Sequence, residues 1–177
     1  MTTASDAVMN QSPVVDGPAA YAVFGNPIKH SKSPAIHGAF ATQFGADISY
    51  RAVAVATDEF EEKVAAFFQR GGSGLNVTLP FKERAWAMAD SVSERARKAR
   101  AANCLIPLES GGLHADNTDG LGMVRDMVIN HGWQLAGRRT LVLGAGGAVR
   151  GILQPLLAER PASLTVVNRT LERAQQL

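Results

Sequence analysis

A single cysteine, Cys104, leaves the chain without an internal disulfide framework and fits a reducing compartment. No apolar run approaches the roughly 18 residues that a membrane-spanning helix needs. An excess of charge of one sign is missing too. With 18 basic and 16 acidic side chains among 177 residues, no excess points to nucleic acid or an anionic membrane as the main partner. Met1 to Ala20 have neither a basic n-region nor an apolar h-region, so they read as a disordered tail rather than a signal peptide. Histidine is scarce: His30 and His37 stand across a loop and His114 and His131 in different elements, so no metal-ligand spacing forms and no metal is expected. Internal repeats and low-complexity segments are absent. What remains is an ordinary composition, 46% hydrophobic and 19% charged, suited to one or two small cytoplasmic domains acting on a small molecule.

Short apolar runs alternate with helical periodicity along most of the chain. Tyr21 to Phe24 reads as a buried strand, followed by a Gly/Pro-punctuated loop and a helix that Pro34 opens and Gly45 closes. Ile36, Phe40 and Phe44 mark its apolar face. A second strand over about Ser49 to Val55 precedes a helix capped by Thr57, with Phe60, Val64, Phe67 and Phe68 on its apolar side. Gly74 to Val77 is a third strand and feeds a helix with Pro80 at its first position. This βαβα order predicts an α/β fold with a mostly parallel sheet. Asn103 to Ile106 and Leu113 to Ala115 read as a hairpin around Ser110-Gly111-Gly112, followed by a helix from about Leu121 to Asn130. Beyond a junction at Gly132 to Gly137, Thr140 to Leu143, a glycine-rich turn, a helix to Ala158 and Leu164 to Val167 make a βαβ unit. The expected domains are 21–131, which would bind substrate, and 132–177, an incomplete dinucleotide-binding unit.

Two groups of residues carry chemistry. Lys82 falls in the first turn of its helix, where the macrodipole disfavours a cation and so favours the neutral amine that acid–base work requires. Asp119 is either the N-cap of the following helix or a partner for Lys82. Because its carboxylate would oppose the helix field, the net effect on the amine stays unsigned. Ser31, Ser33 and Thr78 offer hydroxyls to a polyhydroxylated or carboxylated ligand, although Ser33 reads equally well as the N-cap before Pro34. The second group is the turn after Leu143, where Gly144 and Gly146 fit the first two positions of a phosphate-binding fingerprint and Val149 stands at the third. At the end of the next strand, Asn168-Arg169-Thr170 replaces the acidic residue of an NAD site. With Arg173 it suits a ribose 2′-phosphate, hence NADP. Cys104 reads as a small buried residue rather than a nucleophile.

These stretches together resemble the shikimate dehydrogenase family. The matching residues are Gly25-Asn26-Pro27 through Ser31-Lys32-Ser33-Pro34, Asn76-Val77-Thr78-Leu79-Pro80-Phe81-Lys82, Asn117-Thr118-Asp119-Gly120, the Gly144 loop and Asn168-Arg169-Thr170, in family order. The resemblance implies a Rossmann-type NADP-binding domain and reversible reduction of 3-dehydroshikimate to shikimate, in chorismate and aromatic amino acid biosynthesis. It makes Lys82 and Asp119 the catalytic pair, and Ser31, Ser33, Thr78, Lys82, Asn103 and Asp119 the substrate contacts. Gly144, Ala145, Gly146, Gly147, Ala148, Asn168, Arg169, Thr170 and Arg173 would hold the cofactor, with Glu94 nearby. A quinate/shikimate dehydrogenase of broader specificity, and a shikimate-binding module without activity, are the alternatives; a homodimer is the assembly weighed. Where the family usually shows Gly-Ala-Val-Asn-Thr, this chain has Arg100-Ala101-Ala102-Asn103-Cys104. The nicotinamide-side half and the closing helical segment of the family are not among the 177 residues. The chain by itself is therefore expected to bind cofactor poorly and turn over little.

Overall fold

The computed structural model describes residues 17–177. The tail expected over 1–20 lies outside the described residues up to residue 16, and its last two residues, Ala19 and Ala20, already belong to the first strand. Six strands form the larger sheet: β1 (Ala19–Gly25), β2 (Ile48–Ala54), β3 (Gly72–Val77), β4 (Ser91–Val92), β5 (Cys104–Pro107) and β6 (Leu113–Asp116). Their order is β2-β1-β3-β5-β6-β4. β1 is parallel to both β2 and β3, the β5–β6 hairpin runs antiparallel, and β4 returns parallel to β6. The sheet is mostly parallel, as the alternation predicts. A second sheet pairs β7 (Arg139–Leu143) with β8 (Ser163–Val167) in parallel.

Helices α1 (Ser33–Phe44), α2 (Phe60–Gln69), α3 (Lys82–Ala87) and α4 (Glu94–Ala99) belong to the larger sheet. α5 (Asp119–Arg125) continues into a π-helical turn at Asp126–Asn130 and leads to α6 (Gly147–Ala158) and α7 (Leu171–Gln175). Phe24, Phe60, Val64, Leu75, Phe81 and Leu105 centre the main core, as the apolar spacing of α2 requires. Val124, Val142, Val149 and Leu156 centre a second. Thr57 opens a 3-10 turn (Thr57–Glu59) and gives no side-chain cap, which corrects the expected N-cap. α1 departs further: Gly45 closes it in the left-handed conformation (φ 63°) as expected, but Ile36, Phe40 and Phe44 are exposed and no residue of the helix is buried.

α5 and α6 cross closely because both carry a glycine at the contact. A Cβ on Gly120 would overlap the Gly151 carbonyl oxygen and lie 2.8 Å from Ile152 Cα, so backbone rather than a flexible side chain blocks it. Gly120→Ala is expected to lower stability by about 1–3 kcal/mol, the usual cost of forcing extra volume into a packed contact. Urea denaturation of this chain measures it; an unchanged midpoint would show that the crossing bears no load.

Candidate active site

The site forms where the strands end. Phe24 pairs with Val77, Asn76 with Cys104, and Cys104 with Asp116, so the loops after β1, β3 and β6 and the residue before β5 meet at one end of the sheet. Ligands of α/β sheets bind at the carboxyl ends of parallel strands. Gly25 lets two of these loops touch, since a Cβ there would collide with Thr78 and come within 3.2 Å of the Leu79 carbonyl oxygen. Asn26 N–H donates to that same oxygen (2.9 Å) and Thr78 N–H to Phe24 O (2.9 Å).

Lys82 is the first residue of α3, with Phe81 at the N-cap; Pro80 lies in the preceding turn and is not the first helical residue. Lys82 Nζ donates to Asp119 Oδ2 at 2.7 Å, and Asn103 Nδ2 donates to Asp119 Oδ1 at 2.9 Å. The Lys82 and Asp119 side chains are 25% and 36% exposed, so the pair is held yet open to a ligand. Asp119 is not the N-cap. It is the first residue of α5, and its N–H is received by Asn117 Oδ1 (3.2 Å), which leaves the carboxylate free for Lys82. Ser33 behaves the same way. It is the first residue of α1, Lys32 holds the cap position without a side-chain bond, and Ser31 Oγ accepts the Ser33 N–H at 3.3 Å. The duty expected of Ser33 thus falls to Ser31.

Several residues of the site carry no signal strong enough to single them out in the sequence. Tyr50 on β2 donates to Asn76 Oδ1 (2.7 Å), and Asn76 Nδ2 donates to Asn103 O (3.2 Å) and Cys104 Sγ (3.3 Å). Burial pushes the Tyr50 phenol up to about 12 against the hydrogen bond from Ser33, so it stays neutral. Thr118 N–H donates to Asn103 Oδ1 at 2.9 Å, and Asn103 Nδ2 returns a bond to Thr118 Oγ1 at 3.0 Å. Asn76, Asn117 and Thr118 sit inside the runs already quoted; Tyr50 has only its place on an apolar strand. Burial also pushes the Cys104 thiol up, with the Thr118 hydrogen bond opposing, in keeping with a protonated packing residue.

At the second sheet, Gly144 takes φ 116°, a conformation side chains rarely adopt, and its N–H donates to Val167 O at 2.7 Å. Gly146 occupies the N-cap of α6 without a side-chain bond, and a Cβ there would meet nothing within 4 Å. Val149, at the third fingerprint position, is buried in the second core. Asn168 Nδ2 donates to Thr170 O (2.7 Å), while Arg169 and Arg173 are exposed. Glu94 is taken by Arg97 and Lys98 of its own helix. Arg100 closes α4 at φ 49°, a left-handed conformation that glycine takes without the steric cost of a Cβ. Among the described residues, no group of three or more His, Cys, Asp or Glu gathers into a metal-binding cluster, and no helix is long and apolar enough to cross a membrane.

The shikimate dehydrogenase substrate binding domain matches residues 23–105, and shikimate / quinate 5-dehydrogenase matches residues 127–177. The shikimate dehydrogenase (NADP(+)) of Methylococcus capsulatus is 56% identical over 160 residues, 90% of this chain and 57% of that protein. The chain belongs to the shikimate dehydrogenase family. It spans just over half the length of the curated relatives it matches. Among solved structures, the Ael1 enzyme from Pseudomonas putida aligns with a TM-score of 0.86 and 47% identity, covering 89% of this chain and 58% of that one. The family's shikimate 5-dehydrogenase from Thermus thermophilus, in complex with NADP(H) and shikimate, aligns with a TM-score of 0.81 and 35% identity, covering 89% and 59%.

Proposed function

We propose that the chain serves NADP(H)-dependent, reversible reduction of 3-dehydroshikimate to shikimate, in chorismate and aromatic amino acid biosynthesis. In this reading residues 21–131 bind substrate and carry the catalytic pair, and residues 132–177 belong to the dinucleotide site. The observation that carries it is the Lys82–Asp119 pair at 2.7 Å with Asn103 on the second carboxylate oxygen. Lys82 gives its proton to the substrate oxygen as the ketone becomes an alcohol and takes it back in the reverse direction. Asp119 holds the ammonium in place, and Asn103 holds Asp119. Ser31, Ser33 and Thr78 supply hydroxyls to a polyhydroxylated acid.

The residues of the second sheet fit NADP. Gly144 has the backbone only glycine takes readily, the space over Gly146 is open, and α6 presents a 12-residue helix whose N-terminus lacks a side-chain cap. Gly144 to Ala148 would hold the pyrophosphate, and Arg169, with Asn168, Thr170 and Arg173, the 2′-phosphate. When bound, NADPH supplies the hydride. Glu94 stays a weaker candidate beside the cofactor. The same reading places the protein in the cytoplasm, with a small molecule rather than nucleic acid or membrane as its partner and a homodimer as the assembly compatible with it.

Titration calorimetry of this chain with shikimate, quinate and NADP+ tests the proposal. Shikimate is expected to saturate one site, with quinate weaker by about tenfold or more because its additional polar group must find a partner. No saturation by shikimate would sink the reading. Equal affinities would favour the broader quinate/shikimate specificity, and shikimate heat without turnover in the protein extended to the length of its curated relatives would favour a binding module.

A further inference from the structure

Asp116, at the end of β6, is among the described residues the most heavily hydrogen-bonded carboxylate outside the Lys82 pair, and the proposed reaction does not use it. Its Oδ1 accepts from Ser93 Oγ (2.5 Å), Arg95 Nε (2.7 Å) and the Asn117 N–H (2.7 Å), and Arg95 Nη2 closes a fork onto Oδ2. Burial pushes the Asp116 carboxyl up, but the Arg95, Ser93 and Asn117 bonds outweigh it and hold it below the usual carboxylate range. Its carbonyl oxygen receives the Asn103 N–H at 3.0 Å. One residue therefore fixes both partners of the site. On one side it sets the backbone of Asn103. On the other it sets Asn117, whose Oδ1 receives the Asp119 N–H and whose Nδ2 donates to Ala101 O at 2.9 Å. From the guanidinium to Asp119, the path runs through Asp116 and Asn117 without a break.

Arg95 stands on α4, the helix that Ser93 caps by accepting the Ala96 N–H at 3.1 Å, and α4 packs against α6 of the second sheet. Resting on the reading of Lys82 and Asp119 given above, we infer that Arg95 is a positioning residue: its fork onto Asp116 sets the Asn117–Asp119 turn and so the orientation of the Asp119 carboxylate toward Lys82 and the substrate. A planar fork does this where a point charge does not, because two parallel bonds fix an angle as well as a distance.

The test is a double-mutant cycle on this chain, read as shikimate affinity by calorimetry beside the thermal transition. The variants are Arg95→Ala, Asp119→Asn and both together, with Arg95→Lys as the conservative variant. Arg95→Ala is expected to weaken shikimate by about tenfold, and Arg95→Lys to recover little of it. In the Asp119→Asn background the same Arg95→Ala change should weaken shikimate less than about twofold, because the carboxylate it orients is already gone. Its effect on the thermal transition should be alike in both backgrounds. An equal loss of affinity in both backgrounds would make Arg95 a structural residue only, and an unchanged affinity on Arg95→Ala would remove it from the site. If Arg95→Ala does not fold, Arg95→Lys on the two backgrounds decides by the same comparison. A parent chain that fails to bind shikimate overturns the proposed function itself, which the parent titration shows before any variant is made.

Discussion

Replacing Lys82 by alanine lowers the turnover of 3-dehydroshikimate by roughly 10²–10⁴-fold, the range a positioned general acid–base contributes. The measurement is NADPH oxidation in the protein extended to the length of its curated relatives, with Lys82→Ala against the parent. The size follows from the site's geometry. Among the described residues Lys82 Nζ is the only cation hydrogen-bonded to Asp119, and Asp119 is also held by Asn103 Nδ2, so removing the amine takes the proton and leaves the rest of the frame standing. The loss should therefore fall mainly on kcat, with KM for 3-dehydroshikimate moving less, as expected when an interaction made in the transition state is deleted. Asp119→Asn should lose rate by a smaller factor, since the amine remains but its holder is neutral. Equal rates for Lys82→Ala and the parent would remove Lys82 from the mechanism.

The pattern of strands and helices was legible because each apolar run has its own period: β1, β3 and the β5–β6 hairpin appear where expected, and the Gly144 turn joins β7 to α6. Lys82 and Asp119 were legible as a pair only as an alternative, since a carboxylate at a helix start reads first as a cap. The structure resolves this by moving the capping duty two residues upstream in both helices. Asn117 receives the Asp119 N–H and Ser31 the Ser33 N–H, so neither Asp119 nor Ser33 spends its side chain on its own helix end, and the Asp119 carboxylate turns to Lys82 and Asn103 instead. A rule that assigns caps by residue type alone has no means of seeing that shift. β4 is two residues long and α4, Glu94–Ala99, is six with four charged side chains, so neither shows a period to detect. The role of Arg95 depends on Asp116, 21 positions away, and a spacing that long is set by the fold. The face of α1 marks the opposite failure. Ile36, Phe40 and Phe44 have the right period, yet a period shows which residues share a face and not whether anything in these 177 residues covers it.

Phe81→Ala carries the largest expected cost in stability, about 3–5 kcal/mol, the usual loss when a buried aromatic ring is cut back to a methyl group. Phe81 and Phe60 are both fully buried and stacked, with ring centroids 4.5 Å apart and planes 7° apart. Arg84 lies over both rings, 5.3 Å from the Phe60 centroid and 5.7 Å from that of Phe81, and its guanidinium is turned toward Glu61 by a bond of 2.7 Å from Nε. The stack thus fastens α3 to α2 one residue before Lys82. Phe81 N–H also donates to Thr78 O (3.0 Å) and its carbonyl receives the Ala85 N–H (2.8 Å), so the ring anchors the turn that carries both Thr78 and Lys82. Against a typical stability of 5–15 kcal/mol, the loss is a large share of the whole. Urea denaturation should show a lower midpoint with an unchanged slope, which identifies a change in stability rather than in the denatured state. Phe81→Leu should cost less, because it leaves a smaller cavity. Shikimate affinity should fall with Phe81→Ala even where the chain stays folded, since the ring sets where Lys82 begins its helix. An intact affinity in a destabilised Phe81→Ala chain would mean that Asp119 and Asn103 alone hold Lys82 in place.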